Sequence, residues 1–224
     1  MSTLPSFSGK KILLSTAYLP PLRYMSKLLL TGEVWLEGDE NYTKQTFRNR
    51  CLIAGPNGPQ ALSIPVEKGS FHKVHIRDVR IDRSSPWEKL HLRALNAAYR
   101  SSPFYEYYID DLMEVLERRP VFLFDLNLML LERLLELTGI SCTLHVTRKF
   151  TPPDTEGVLD LRERILPKRQ EEDPFFRHPV YHQVFEEKSG FLPGMSIVDL
   201  LFNEGPDTGK ILKESILFPS KNGT

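Results

Sequence analysis

The chain has little with which to span a membrane, bind a metal or hold a polyanion. Its richest apolar run, residues 121–137, is broken by Asp125, Asn127, Glu132, Arg133 and Glu136, so no stretch has the length of a bilayer-spanning helix. Residues 1–15 carry only a short apolar core after Lys10 and Lys11, with no small-residue cleavage site behind a long apolar segment. A cytoplasmic protein is expected. The two cysteines, Cys51 and Cys142, are far apart and form neither a CxxC nor a zinc spacing, so reduced thiols are expected and no metal is. His178 and His182 have the spacing of a helical metal pair, but Pro179 and the missing adjacent glutamate argue against one. Twenty-nine basic residues balance twenty-nine acidic ones, so the molecule has no overall cationic field, and no nucleic acid partner is expected. GxSxG and GxGxxG patterns are absent, and residues 205–210 are one residue short of a phosphate loop and follow a helix pattern. Hydrolase, dinucleotide and nucleotide-loop readings have no support, and no cofactor is implied.

What is present is an ordinary globular composition. At 224 residues, with 41% hydrophobic and 26% charged, the chain can bury one large core and is not disordered. Residues 11–15 read as a buried strand ended by Pro20 and Pro21, followed by a helix over 22–30 that stops at Gly32. Strands are expected at 34–37 and 47–53. The turn residues Gly55, Pro56, Asn57, Gly58 and Pro59 fold the latter back onto 61–66 as a hairpin. Alternation over 74–81 predicts a strand wet on one face. Ser85-Pro86-Trp87-Glu88 has the form of a capping box, opening a helix to about Arg100. Further helices are expected from 102 to 117, from an Asp125 cap to Thr138, over 180–187, and from a Ser196 cap to Asn203. A last strand falls at 142–146. These elements imply one α/β or α+β domain, a mixed core over 1–146 flanked by helices. A proline-rich excursion or lid would follow at 147–179, then a helical extension at 180–224.

The most concentrated polar stretch is residues 41–51. In an extended run Lys44, Arg48 and Arg50 share one side, and in a short helix Lys44 and Arg48 still do. Guanidinium groups bind carboxylate or phosphate through paired hydrogen bonds, so this row suits an anionic ligand. The alternative is that the cations pair with Glu33, Glu37, Asp39 and Glu40 just upstream. His91 lies on the apolar stripe of its helix, as a core residue or as a general base of shifted pKa. Tyr18 and its neighbours fall just beyond the first strand, where α/β folds place ligands.

With these stretches assembled, the chain resembles the WbqC-like protein family. The resemblance is carried by Ser15 to Pro21; by Glu40-Asn41-Tyr42 with 44–50; by Leu62-Ser63-Ile64-Pro65-Val66 and Trp87 with His91; by 98–103 and Asp125-Leu126-Asn127; and by 181–185 and 192–205. It is closest in character to a Bacteroidetes-type subgroup. Family members often occur with bacterial surface-polysaccharide genes, which implies a sugar or acyl transferase acting on a phosphate-bearing donor. Many also carry His-Gln-Pro where this chain has Leu14-Ser15-Thr16, so chemistry assigned to that histidine does not carry over. The resemblance and the anion chemistry pick the same cations, and the expected site is His91 with Asp125 as catalytic groups, and Tyr18, Lys44, Arg48, Asn49, Arg50, Tyr99 and Asn127 as binding groups. A non-catalytic module that binds an anion or a partner is the alternative.

Overall fold

A computed structural model describes residues 10–67, 74–168 and 173–217. The chain enters on strand β1 (Lys11–Ser15), crosses through helix α1 (Leu22–Thr31) and returns on β2 (Glu33–Glu37). These two strands pair in parallel, with Leu13 opposite Trp35 and Leu14 opposite Leu36. The hairpin β3 (Arg50–Gly55) and β4 (Gly58–Ser63) follows, antiparallel as the turn residues between them require. Helices α2 (Trp87–Tyr99), α3 (Tyr105–Glu117) and α4 (Leu123–Thr138) lead to β5 (Thr143–Val146) and β6 (Val158–Asp160). Short helices α5 (Glu186–Ser189), α6 (Ile197–Glu204) and α7 (Thr208–Glu214) complete the order. The main sheet runs β5-β2-β1-β6, every pairing parallel, and the fold is α/β. No helix among the described residues is long and apolar enough to cross a membrane.

Period two in the strands decides the core. Ile12 and Leu14 of β1 and Val34 and Leu36 of β2 point to one face and join the main apolar cluster with Met25 and Leu28 of α1. Helix α1 stops at Gly32, whose φ of 66° lets its N–H return to the Leu28 carbonyl.

Several boundaries differ from expectation. Residues 74–81 form single bridges, Asn41 to His75, Val66 to Ile81 and Arg80 to Phe122, around a 3-10 turn at Ile76–Asp78, and among the described residues they make no strand ladder. Helix α2 begins at Trp87 without a side-chain cap, because Pro86 rather than Ser85 occupies the capping position. Helix α4 begins at Leu123, so Asp125 is not its cap but an exposed first-turn residue, where its charge complements the helix dipole. The expected helix at 180–187 is reduced to α5, since Tyr181 and Gln183 both turn inward at a two-residue spacing that a helix cannot give. Within the proline-rich stretch, β6 pairs with β1 through Ile12 and Leu159. Three residues are too short a strand to show in a pattern.

Tyr181 and Gln183 turn inward toward Asp199, which is fully buried on α6. Its carboxylate accepts from Tyr99 Oη at 2.7 Å, Tyr181 Oη at 2.5 Å and Gln183 Nε2 at 2.7 Å. The Ala54 amide donates to Tyr99 Oη at 3.0 Å, so that hydroxyl's own proton is directed at Asp199. Burial raises the Asp199 pKa, and the three donors oppose that rise. One carboxylate thus ties β3, α2 and the 181–183 segment to α6. Asp199→Ala leaves three buried donors without an acceptor and should lower unfolding free energy by roughly 3 to 5 kcal/mol, read from urea denaturation.

Candidate functional site

All four strands of the main sheet end at the same edge, where parallel α/β sheets bind ligands. At that edge lies a buried charge network. Arg48, 1% exposed, donates Nε to Glu40 Oε1 at 2.9 Å and Nη2 to Glu40 Oε2 at 2.6 Å. Its Nη2 also reaches Ser15 Oγ at 2.7 Å, at the end of β1, and Glu163 Oε1 at 3.1 Å. Ser15 in turn donates to Glu40 Oε2 at 3.1 Å. Burial works against the Arg48 charge, but the hydrogen bonds and charge of Glu40, with Glu163, more than offset it and hold its pKa above the ordinary value.

A second set stands beside the first. Glu37, at the end of β2, accepts from Arg162 Nη1 at 3.1 Å, from the Asp39 and Thr151 amides, and from the Thr147 hydroxyl. Arg162 also donates Nε to Asp160 Oδ1 at 2.9 Å, and its guanidinium lies 4.9 Å from the Phe150 ring centre. A Cβ at Gly38 would meet the Arg77 guanidinium, which packs on the glycine while bonding the Thr147 carbonyl. Both buried glutamates have strong donors on both oxygens. The edge is a platform of paired charges rather than an open cationic groove.

The open space lies next to it. A cleft of about 620 Å³ is walled by Pro21, Phe47, Leu52, Leu166 and Phe176, with Arg23, Arg177, His178 and Asp173 as its charged or titratable lining. A small cavity of about 10 Å³, bounded in part by Ser15, Arg48 and Arg162, shares Phe47 and Leu166 with the cleft, so these two side chains lie between platform and cleft. Lys27 of α1 stands behind the wall, its Nζ 2.7 Å from Asp173 Oδ2 and within 5.8 Å of the Phe175 ring centre. Burial lowers its pKa, and Asp173 opposes that shift. Among the described residues no group of three His, Cys, Asp or Glu side chains could hold a metal ion.

The residues expected from sequence fall in several places. The 41–51 run is neither extended nor helical: turns carry it to β3, with Gln45 at φ 59°, so the three cations do not form one row. Lys44 is exposed, Arg48 turns inward, and Arg50 donates to Ser63 Oγ at 3.1 Å. The pairing alternative describes Arg48, whose partner is Glu40. Asn127 donates to the Arg48 carbonyl at 2.7 Å and Asn49 to the Ile64 carbonyl at 3.0 Å, fixing the turn against α4 and β4; both amide oxygens are buried without a hydrogen bond among the described residues. Tyr18 Oη and His91 Nδ1 are 2.9 Å apart, both side chains buried. The Ser63 backbone engages the same ring. Neither cavity is lined by His91, Asp125, Tyr99 or Asn127. Arg23, Lys27, Asp173 and Arg177 were not foreseen, and His178 entered only as half of a rejected metal pair. Asp173, Arg177 and His178 sit near prolines in irregular sequence, whereas Arg23 and Lys27 lie on α1, where a buried cation on the apolar face, Lys27 in a run of leucines, offered a signal.

Residues 16–170 and 174–211 match the WbqC-like protein family. The chain belongs to that family. This WbqC-like chain is also 30% identical over 227 residues, 91% of its length and 97% of the other's, to a protein of Mycobacterium tuberculosis (strain ATCC 25618 / H37Rv) named "Uncharacterized protein Rv1507c". No solved structure matches it.

Two predictions concern the buried groups. Arg48→Ala strands Glu40 in the interior and should cost roughly 3 to 5 kcal/mol of stability by denaturant titration, whereas Lys44→Ala, exposed, should cost almost nothing. Burial lowers the His91 pKa from 6.5 to about 4. The unfolded chain therefore takes up this proton first, and stability present above pH 6.5 is lost as pH falls through 4, by about 3 kcal/mol. His91→Gln keeps an acceptor for Tyr18 and a donor for the Ser63 carbonyl but does not titrate, so thermal denaturation from pH 7 to 4 should show a shallower decline.

Proposed function

We propose that this WbqC-like protein is a transferase that takes an anionic, phosphate-bearing donor of a sugar or acyl group into the cleft beside the sheet's carboxyl edge. The observation that carries the reading is the juxtaposition of a cleft of about 620 Å³ with two arginines, Arg23 and Arg177, in its lining. Its volume falls within the range of small-molecule sites. Arginines in a partly apolar surround bind phosphate oxygens through paired hydrogen bonds and stabilise charge on a departing group. The family's occurrence with polysaccharide genes, carried over from the resemblance, supplies the reaction class. Arg48 then has a positioning role, setting Phe47 in the cleft wall from the adjoining turn, and the anion-binding task expected of Lys44, Arg48 and Arg50 passes to Arg23 and Arg177.

The experiment is a thermal-shift screen of nucleotide sugars, acyl-coenzyme A and inorganic phosphate against the parent, Arg23→Ala/Arg177→Ala, and Lys44→Ala/Arg50→Ala. A donor at a hundredfold excess over its dissociation constant stabilises by about 3 kcal/mol. The parent and the Lys44/Arg50 variant should shift alike with one donor, and the Arg23/Arg177 variant should not. Loss of the shift in the Lys44/Arg50 variant instead would return the site to the 41–51 turn. Absence of any shift would favour a partner-binding module.

A further inference from the structure

We infer that the donor is an acyl thioester on a phosphate-bearing carrier, not a sugar nucleotide, and that His178 is the base for its transfer. The inference rests on the cleft reading above and narrows it. A sugar ring displays hydroxyls in every direction, and sites that hold one place several amide, hydroxyl or carboxylate partners around it to fix its orientation. Among the described residues lining this cleft there is no Ser, Thr, Asn, Gln or Tyr, and the one carboxylate, Asp173, is paired with Lys27. Proline, leucine and phenylalanine side chains make up the rest of the walls, apart from Gly194. Such walls suit a linear, largely apolar arm that ends in a thioester, while Arg23 and Arg177 take the phosphates of its carrier. The described lining therefore has charge for the phosphates and apolar surface for the arm, and little for a ring of hydroxyls.

His178 is the titratable base in the same lining. Its ring stands edge-on to Phe176 at 4.9 Å between centres, and the backbone across from it is Gly194, where a Cβ would stand 4.0 Å from the imidazole. Burial lowers the His178 pKa and the nearby Arg23 charge adds to it, which keeps the ring neutral and able to accept a proton near pH 7. In the transfer, the acceptor's O–H or N–H gives its proton to His178 as its oxygen or nitrogen bonds the thioester carbonyl carbon. The C–S bond then breaks, and the departing sulfur takes that proton from His178 to leave as a thiol. No oxidant or reductant is needed.

The test has two parts, both on the full chain. Thermal shift is measured with acetyl-coenzyme A, UDP-glucose and inorganic phosphate. Thiol release from acetyl-coenzyme A is then followed with hydroxylamine as a small acceptor, for the parent and His178→Gln. The expected result is stabilisation by acetyl-coenzyme A that depends on Arg23 and Arg177, none by UDP-glucose, and thiol release that falls on the order of 100-fold in His178→Gln while the thermal shift is kept. A shift with UDP-glucose as large as with acetyl-coenzyme A, lost in Arg23→Ala/Arg177→Ala, would overturn the acyl assignment and leave the transferase reading standing. No shift with either donor would overturn both. Thiol release absent in the parent, or equal in the parent and His178→Gln, would remove the base assignment.

Discussion

The buried pairing of Arg48 with Glu40 is the constraint on which the rest of the site depends. Ion pairs in protein interiors gain little net stability, because desolvation of both charges offsets their attraction. Here the pair fixes geometry. Arg48 is held by Glu40 from its own loop, by Ser15 at the end of β1 and by Glu163 just after β6, while its carbonyl is held by Asn127 of α4. Segments far apart in the chain thus meet at one guanidinium, and a loop with no regular structure is given one conformation. Phe47 is placed by that same turn, since its carbonyl accepts from the Tyr18 amide at 2.8 Å. The cleft wall follows from the ion pair.

The carboxyl edge of the sheet and the cleft divide two tasks that α/β folds often combine. Four strand ends bring Ser15, Glu37, Val146 and Asp160 to one edge, where Arg162 bonds Glu37 and Asp160 and Arg48 bonds Ser15. The surface open to a ligand lies to the side, between α1, residues 166–167 and 173–178, and the Pro193-Gly194 turn before α6. The Asp199 network serves the same end at the other side of that turn, because Gln183 bonds the Leu192 backbone through both its amide atoms. Buried polar groups therefore shape an otherwise apolar cleft from behind. The polar groups in its described lining are Arg23, Arg177, Asp173 and His178.

Local sequence determined a good deal. The buried strand at 11–15, the helix stopped at Gly32, the hairpin around Asn57 and Gly58, the Ser196 cap and the Gly139 stop all follow from propensity, turn chemistry and backbone freedom within a few residues. Those signals suffice for an α/β fold, and the ordered motifs suffice for the family. They also marked Tyr18 with His91 and Arg48 as special, which the structure joins into close buried pairs.

Tertiary structure alone decided what those residues face. The 41–51 run allows either one row of cations or pairing with the acids just upstream, and packing chose the pairing for Arg48, whose partner is Glu40. The three-residue strand β6 exists because the edge of β1 was open to it. Asp125 caps nothing because α4 starts a turn earlier. The cleft is assembled from α1, the 41–52 region, the proline-rich segment and the turn before α6, so its arginines and histidine share no period and no motif. Pattern records which face of one element is apolar; only packing determines which elements meet.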